Sequence, residues 1–168
     1  MATIFDVRGP FEIPYYQGRA GRTITDDNVR EFWGRNRSVA GDKGCYVFGV
    51  RAAKGFTPGY VGRATGAFRV EAFAPHKLAK YQQFLADYRK GTPVLFFVVA
   101  PSRRGAPNVA HIKELEAFLI QVGLAANAEL LNVKGTSAEE WGIAGILRGG
   151  KGKPSASARA FQQMMKFR

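Results

Sequence analysis

Two tyrosines, an arginine and a glutamate are the residues of this 168-residue chain whose types and spacing suit chemistry on a phosphodiester. Gly44-Cys45-Tyr46-Val47-Phe48 and Gly59-Tyr60-Val61-Gly62-Arg63 each set a tyrosine inside an apolar, β-prone run, and a glycine closes the second. Arg69 and Glu116 follow on segments of helical pattern. Hydrolysis of a phosphodiester needs a water that is deprotonated and aimed at phosphorus. It also needs preorganised cations or donors for the negative charge gained in the transition state, and a metal ion or an acid at the leaving oxygen. The sequence offers no glycine-rich phosphate cradle and no metal-ligating cluster of His and Cys, and Gly149-Gly150-Lys151-Gly152 is too irregular to serve as the former.

A few elements must hold these residues in place. Residues 45–52 and 59–63 read as two strands of an antiparallel hairpin, joined by a loop over 53–58 that carries Gly and Pro breakers. Thr65-Gly66 breaks the chain before a helix expected over 67–73, which Pro75 interrupts. A second helix is expected over 76–88, with Leu78, Tyr81, Leu85 and Tyr88 at helical spacing. The apolar run over 93–100 has strand length and reads as a central strand covered on both faces. Asn108 is a good N-cap for an amphipathic helix through Ile112, Leu115, Glu116, Leu119, Ile120 and Leu124, and 130–133 reads as extended. Ahead of this core, Asp26 is expected to cap a short helix through Val29, Phe32 and Trp33. Behind it, Ser137 and Glu140 suggest a capping box, 149–154 a basic linker, and 155–167 a last helix. The expected organisation is an N-terminal extension over 1–43 packing on the core, a core over 44–134, and a basic, helical C-terminal extension over 135–168.

Taken in order, Gly44-Cys45-Tyr46, Tyr60-Val61-Gly62, Arg69, Glu116 and Asn132 resemble the GIY-YIG nuclease superfamily, which includes homing endonucleases, some restriction enzymes and the incision subunit of bacterial excision repair. The resemblance spans 44–132. Cys45 stands where isoleucine is usual, Val61 is a conservative change, and the loop over 50–59 is slightly long. It implies an α/β (α+β) fold: a small central three-stranded, mainly antiparallel sheet flanked by helices, here with N- and C-terminal helical extensions. It also implies a Mg²⁺-dependent endonuclease (Mn²⁺ or another divalent cation could substitute) hydrolysing DNA. Tyr46 would act as general base or orient the water, and Tyr60 would position the nucleophile or phosphate. A tyrosine ordinarily titrates near 10, so base action calls for a nearby cation, which Arg63 could supply; His76 is an alternative proton acceptor. Glu116 is a hard oxygen ligand for one Mg²⁺, held weakly until substrate phosphate completes the shell. Arg69 would stabilise the phosphate with a planar guanidinium, and Asn132 would tie the site's backbone together. Tyr46, Tyr60, Arg69 and Glu116 should then face one solvent-accessible groove.

The charge agrees with a polyanionic partner. The formal net charge is +12 and the pI about 10.2, and each neutralised phosphate releases condensed counterions. Arg63, Lys77, Lys80, Arg103 and Arg104 are the expected DNA contacts, with RNA as a second candidate. Arg22, Arg30, Arg35, Arg37, Arg51 and Lys54 form a wider basic pool, while Trp33 and Trp141 read as core. No basic helix has a clean apolar face with bulky anchors, so no membrane partner is expected. The single cysteine, Cys45, excludes an internal disulfide and a zinc cluster and reads as a small core residue. No signal peptide and no spanning segment are apparent, so a cytoplasmic protein is expected; the oligomeric state stays open. Two other functions also stay open: a non-catalytic nucleic-acid-binding module on the same fold, and a basic structural protein of a ribonucleoprotein with the tyrosines as core.

Overall fold

A computed structural model of the chain describes residues 3–53, 55–102, 107–132, 143 and 153–165. The chain divides into two units, the first running to Asn132 and the second beginning at Val133. In the first unit, β1 (Asp6–Glu12), β6 (Thr92–Val99), β4 (Gly44–Ala52) and β5 (Gly55–Ala64) form one antiparallel sheet in the order β1-β6-β4-β5. A separate hairpin joins β2 (Tyr16–Gly18) to β3 (Gly21–Thr23). The helices are α1 (Asp26–Arg35), α2 (Arg37–Ala40), α3 (Phe68–Glu71), α4 (Pro75–Asp87) and α5 (Val109–Ala126). In the second unit α6 (Ala156–Met165) follows Ser155, whose hydroxyl accepts from the Ala158 amide at 3.1 Å.

The expected three-stranded sheet is corrected to four. Residues 6–12 contribute a strand that pairs along the free edge of β6, so the N-terminal stretch belongs to the sheet and is not a purely helical extension. β6 is apolar nearly throughout and lies between β1 and β4, which satisfies its backbone on both sides. β5 begins at Gly55, several residues before the expected start, because Pro58 sits on an edge strand beside a register shift at Phe48/Gly49, where its missing N–H does no harm.

Alternation along the strands sends side chains to two faces. Tyr46, Phe48 and Val50 of β4 enter the main core with Phe32, Phe68, Tyr81, Phe84 and Phe97. Val47 and Val61 point to the other face, against Leu119, Ile120 and Leu124 of α5. The α4 side is fixed by Tyr81, stacked on Phe48 at 4.1 Å with its hydroxyl donating to the Ala72 carbonyl at 2.6 Å. Helix starts follow local chemistry. Thr25, one residue ahead of the expected cap, opens α1 in a reciprocal pair with Asn28; Pro75 takes the first turn of α4; and the Asn108 side chain accepts from the His111 amide. The helix expected over 67–73 shortens to the single turn of α3. Among the described residues no helix is long and apolar enough to cross a membrane.

Candidate functional site

The β4–β5 register places Tyr46 opposite Gly62 and Cys45 opposite Arg63. Tyr46 is fully buried, and its ring lies where a Cβ on Gly62 would be, so only glycine fits that position. Its hydroxyl donates to the Glu71 carbonyl at 3.4 Å, a long bond, and its ring meets Phe68 edge-on. Tyr60 lies on the same face, with its hydroxyl accepting from Lys77 Nζ at 3.1 Å. The Lys77 ammonium is 5.2 Å from the Tyr60 ring centroid and 5.7 Å from that of Tyr46, so one cation serves both aromatic rings.

The other half of the candidate site comes from the α5 side. Arg63 alternates with Gly62 and takes the face of Val61, where its guanidinium pairs with the Glu116 carboxylate. The Glu116 side chain is 16% exposed and that of Arg63 41%. The Cys45 thiol donates to the Ile112 carbonyl at 3.4 Å. The expected single solvent-accessible groove is corrected: Tyr46, which is fully buried, Tyr60 and Lys77 stand on one side of the sheet, and Arg63 and Glu116 on the other, with edge strand β5 between them. The reason is strand alternation, which sends Tyr46 and Gly62 to the core face and Arg63 to the face of α5. Glu116 contributes, behind burial, to raising both Tyr46 and Cys45.

Burial is the largest cause lifting the Tyr46 hydroxyl far above the ordinary phenol range, and Tyr60, Glu71, Glu116 and Cys45 push the same way. Cys45 is raised to about 12 by burial first and Glu116 second, against the pull of Arg63. Tyr46 is therefore a neutral phenol near neutral pH, able to donate a proton into a hydrogen bond. Arg63, expected to favour its ionisation, is engaged by Glu116. Asn132 grips the site's backbone directly: its Oδ1 accepts from the Val61 amide at 2.8 Å and its Nδ2 donates to the Val61 carbonyl at 2.7 Å.

The remaining expected residues are more dispersed. Arg69 is exposed on α3 and has no hydrogen bond or ion pair among the described residues; it lines an open hollow with Trp33, Gly34, Arg37, Ala40 and Gly41. His76 is exposed in the first turn of α4, and Lys80 is half-buried one turn further on. Arg103, Arg104, Lys54, Ser137, Glu140 and Trp141 lie outside the described residues. Lys77, expected only as a DNA contact, is the cation shared by the tyrosines. Its signal was present in the sequence: Lys77 is four residues before Tyr81 and so shares that residue's inward helix face. Among the described residues no group of three or more His, Cys, Asp and Glu side chains could hold a metal ion. No protein-family model, curated protein or solved structure matches the chain.

Proposed function

We propose that this chain is a divalent-metal-dependent endonuclease of the GIY-YIG kind that hydrolyses DNA. One observation carries the reading: a buried tyrosine laid across a glycine of the paired strand, beside a second tyrosine and a lysine that donates to that second tyrosine. Each residue has a task that its surroundings permit. Lys77 and Arg69 meet phosphate charge. Tyr60 accepts from Lys77, which leaves its own proton free for a phosphate oxygen or for the attacking water. Tyr46 stays protonated; its proton goes to the Glu71 carbonyl in the free protein, and orienting the water would require the hydroxyl to turn from that long bond. His76, exposed at the start of α4, is the candidate proton acceptor.

Glu116 would hold the divalent ion. Its single, partly exposed carboxylate fits Mg²⁺ or Mn²⁺ in a shell that water and phosphate complete. When bound there, the ion supplies charge stabilisation at the phosphoryl and leaving oxygens. Arg63 keeps the carboxylate neutralised in the free protein and is positioned to turn to a phosphate once that carboxylate is occupied.

A second reading, a nucleic-acid-binding module that does not cleave, is favoured by that same ion pair, because Arg63 neutralises the one carboxylate hydrolysis requires. Supercoiled plasmid with Mg²⁺ separates the two. Nicking by the wild-type protein that disappears in chelator and in Glu116→Gln supports the nuclease. Salt-sensitive binding with no nicking of double-stranded, single-stranded or branched DNA leaves the binding module. Tight binding to RNA alone overturns both in favour of a ribonucleoprotein component.

A further inference from the structure

The open hollow bounded by α1, α2 and α3 has a volume of about 490 Å³, within the ~300–1,000 Å³ range of small-ligand sites. Its lining is chemically one-sided: two guanidiniums, Arg37 and Arg69; one indole, Trp33; and Gly34, Ala40 and Gly41, with no carboxylate. The arginines nearby are otherwise committed. Arg30 pairs with Asp27 at 3.1 Å, and Arg35 pairs with Glu31. Arg37 and Arg69 have no such partner among the described residues, although they share one wall. Two like charges facing a common space repel, and an anion between them removes that cost. Gly34 and Gly41 have open space where a Cβ would stand, so a bulky ligand meets no side chain there. The Trp33 Nε1 is buried with no hydrogen-bond acceptor among the described residues, while the rest of the indole contributes apolar wall.

We infer that this hollow binds one nucleotide unit of a DNA strand, with its backbone phosphate held between Arg37 and Arg69 and its sugar or base against Trp33. The phosphate is a second one, distinct from that contacted at the tyrosine pair. The inference rests on the nucleic-acid side of the proposed function and is independent of whether the strand is cut. Arg37 is then a binding residue: it fixes strand register without touching the reacting atoms.

The test is equilibrium binding of a labelled DNA duplex in chelator across a salt series, so that no turnover occurs. Arg37→Ala should weaken binding about tenfold and lower the slope of log Kd against log salt by about one, the loss of one phosphate contact. Arg30→Ala removes the same charge outside the hollow and should change affinity less than twofold. Gly34→Leu fills the hollow without altering charge and replaces a helix glycine, so it should weaken DNA binding while leaving the melting temperature equal or higher. Equal effects of Arg37→Ala and Arg30→Ala overturn the inference, as does full affinity in Gly34→Leu. An Arg37 effect confined to RNA overturns the assignment to DNA, and failure of the wild type to bind any DNA overturns it together with the nucleic-acid reading. Plasmid left intact by the wild type, with the Arg37 effect preserved, removes hydrolysis alone.

Discussion

The Tyr46–Gly62 contact sets a sharp demand within the candidate site. A methyl group on Gly62 has no room unless the Tyr46 ring moves, and that ring is packed in the core. Gly62→Ala is expected to cost about 1–3 kcal/mol as an overpacking change and to suppress nicking. Gly66→Ala, at a site with open space around its Cβ, should be neutral or stabilise by up to about 1 kcal/mol. Urea midpoints of the two variants compare them directly, and equal midpoints would show that the ring yields. Cys45 gives a pH signature. Its thiol is raised to about 12 in the folded state, against about 8.5 in an unfolded chain. Between those values the unfolded chain binds fewer protons, so stability is complete below about pH 8.5 and falls as pH rises towards 12. Raised Tyr46 adds to the loss at the upper end. Urea midpoints at about pH 8 and pH 10 should show the wild type losing at most about 2 kcal/mol through Cys45. Cys45→Ala should flatten that decline even if it lowers the starting value; an unchanged slope would remove the thiol as its source.

Among the elements, β5 matters most, because it separates the two halves of the site and lies at the edge of the sheet. An unprotected edge strand offers unpaired backbone groups to other chains. Here the segment after α5 closes it: the Leu131 amide donates to the Gly59 carbonyl at 2.9 Å, Asn127 Nδ2 to the Pro58 carbonyl at 2.8 Å, and Asn132 makes both bonds to Val61. Asn132→Ala leaves a buried N–H and a buried C=O on Val61 without partners, and should cost about 2–4 kcal/mol and raise the exchange rate of the Val61 amide. Asn132→Asp retains an acceptor for the amide but turns a second oxygen towards the Val61 carbonyl, so it should rescue little. Wild-type exchange at Val61 in Asn132→Ala would refute the clamp. The hairpin, α4, β6 and α5 were legible from apolar spacing and from Asn108 and the Gly breakers, since their patterns are set locally. β1 was not: Asp-Val-Arg-Gly-Pro-Phe-Glu has mostly exposed side chains and no clean alternation, and it is a strand because the far edge of β6 needs a partner. The start of β5 was hidden for a related reason, as Gly55 and Pro58 read as loop until the bulge beside Gly49 makes a proline harmless there. Of the candidate residues, Tyr46, Tyr60 and Glu116 were picked out by type and order alone. The Arg63–Glu116 pair and the division of the residues over two faces follow from register and helix docking, which no local pattern encodes.

At the scale of the whole molecule, charge and topology bear on each other. The carboxylates of Asp6, Glu12, Asp27, Glu31, Asp42 and Glu116 are all paired with arginines, and the chain still carries a net +12. The surface therefore presents surplus cation to phosphates, while the carboxylate proposed to hold a metal ion is neutralised by a neighbour until something competes for that neighbour. A DNA phosphate near Arg63 would do so and would at the same time add oxygen ligands. Metal and DNA should accordingly strengthen each other's binding, by the same factor in both directions, because binding free energies around a closed cycle must agree. The expected coupling is at least fivefold, the lower end of ordinary site–site coupling. It can be measured on Tyr46→Phe, a variant chosen to suppress turnover, by titrating Mn²⁺ with and without duplex and duplex with and without Mn²⁺. Arg63→Ala should tighten Mn²⁺ binding to the free protein and shrink the coupling, since the competition it relieves is already gone. Mn²⁺ affinity that is indifferent to both duplex and Arg63 would mean that Glu116 serves only its ion pair with Arg63, and would leave the chain a binder of nucleic acid.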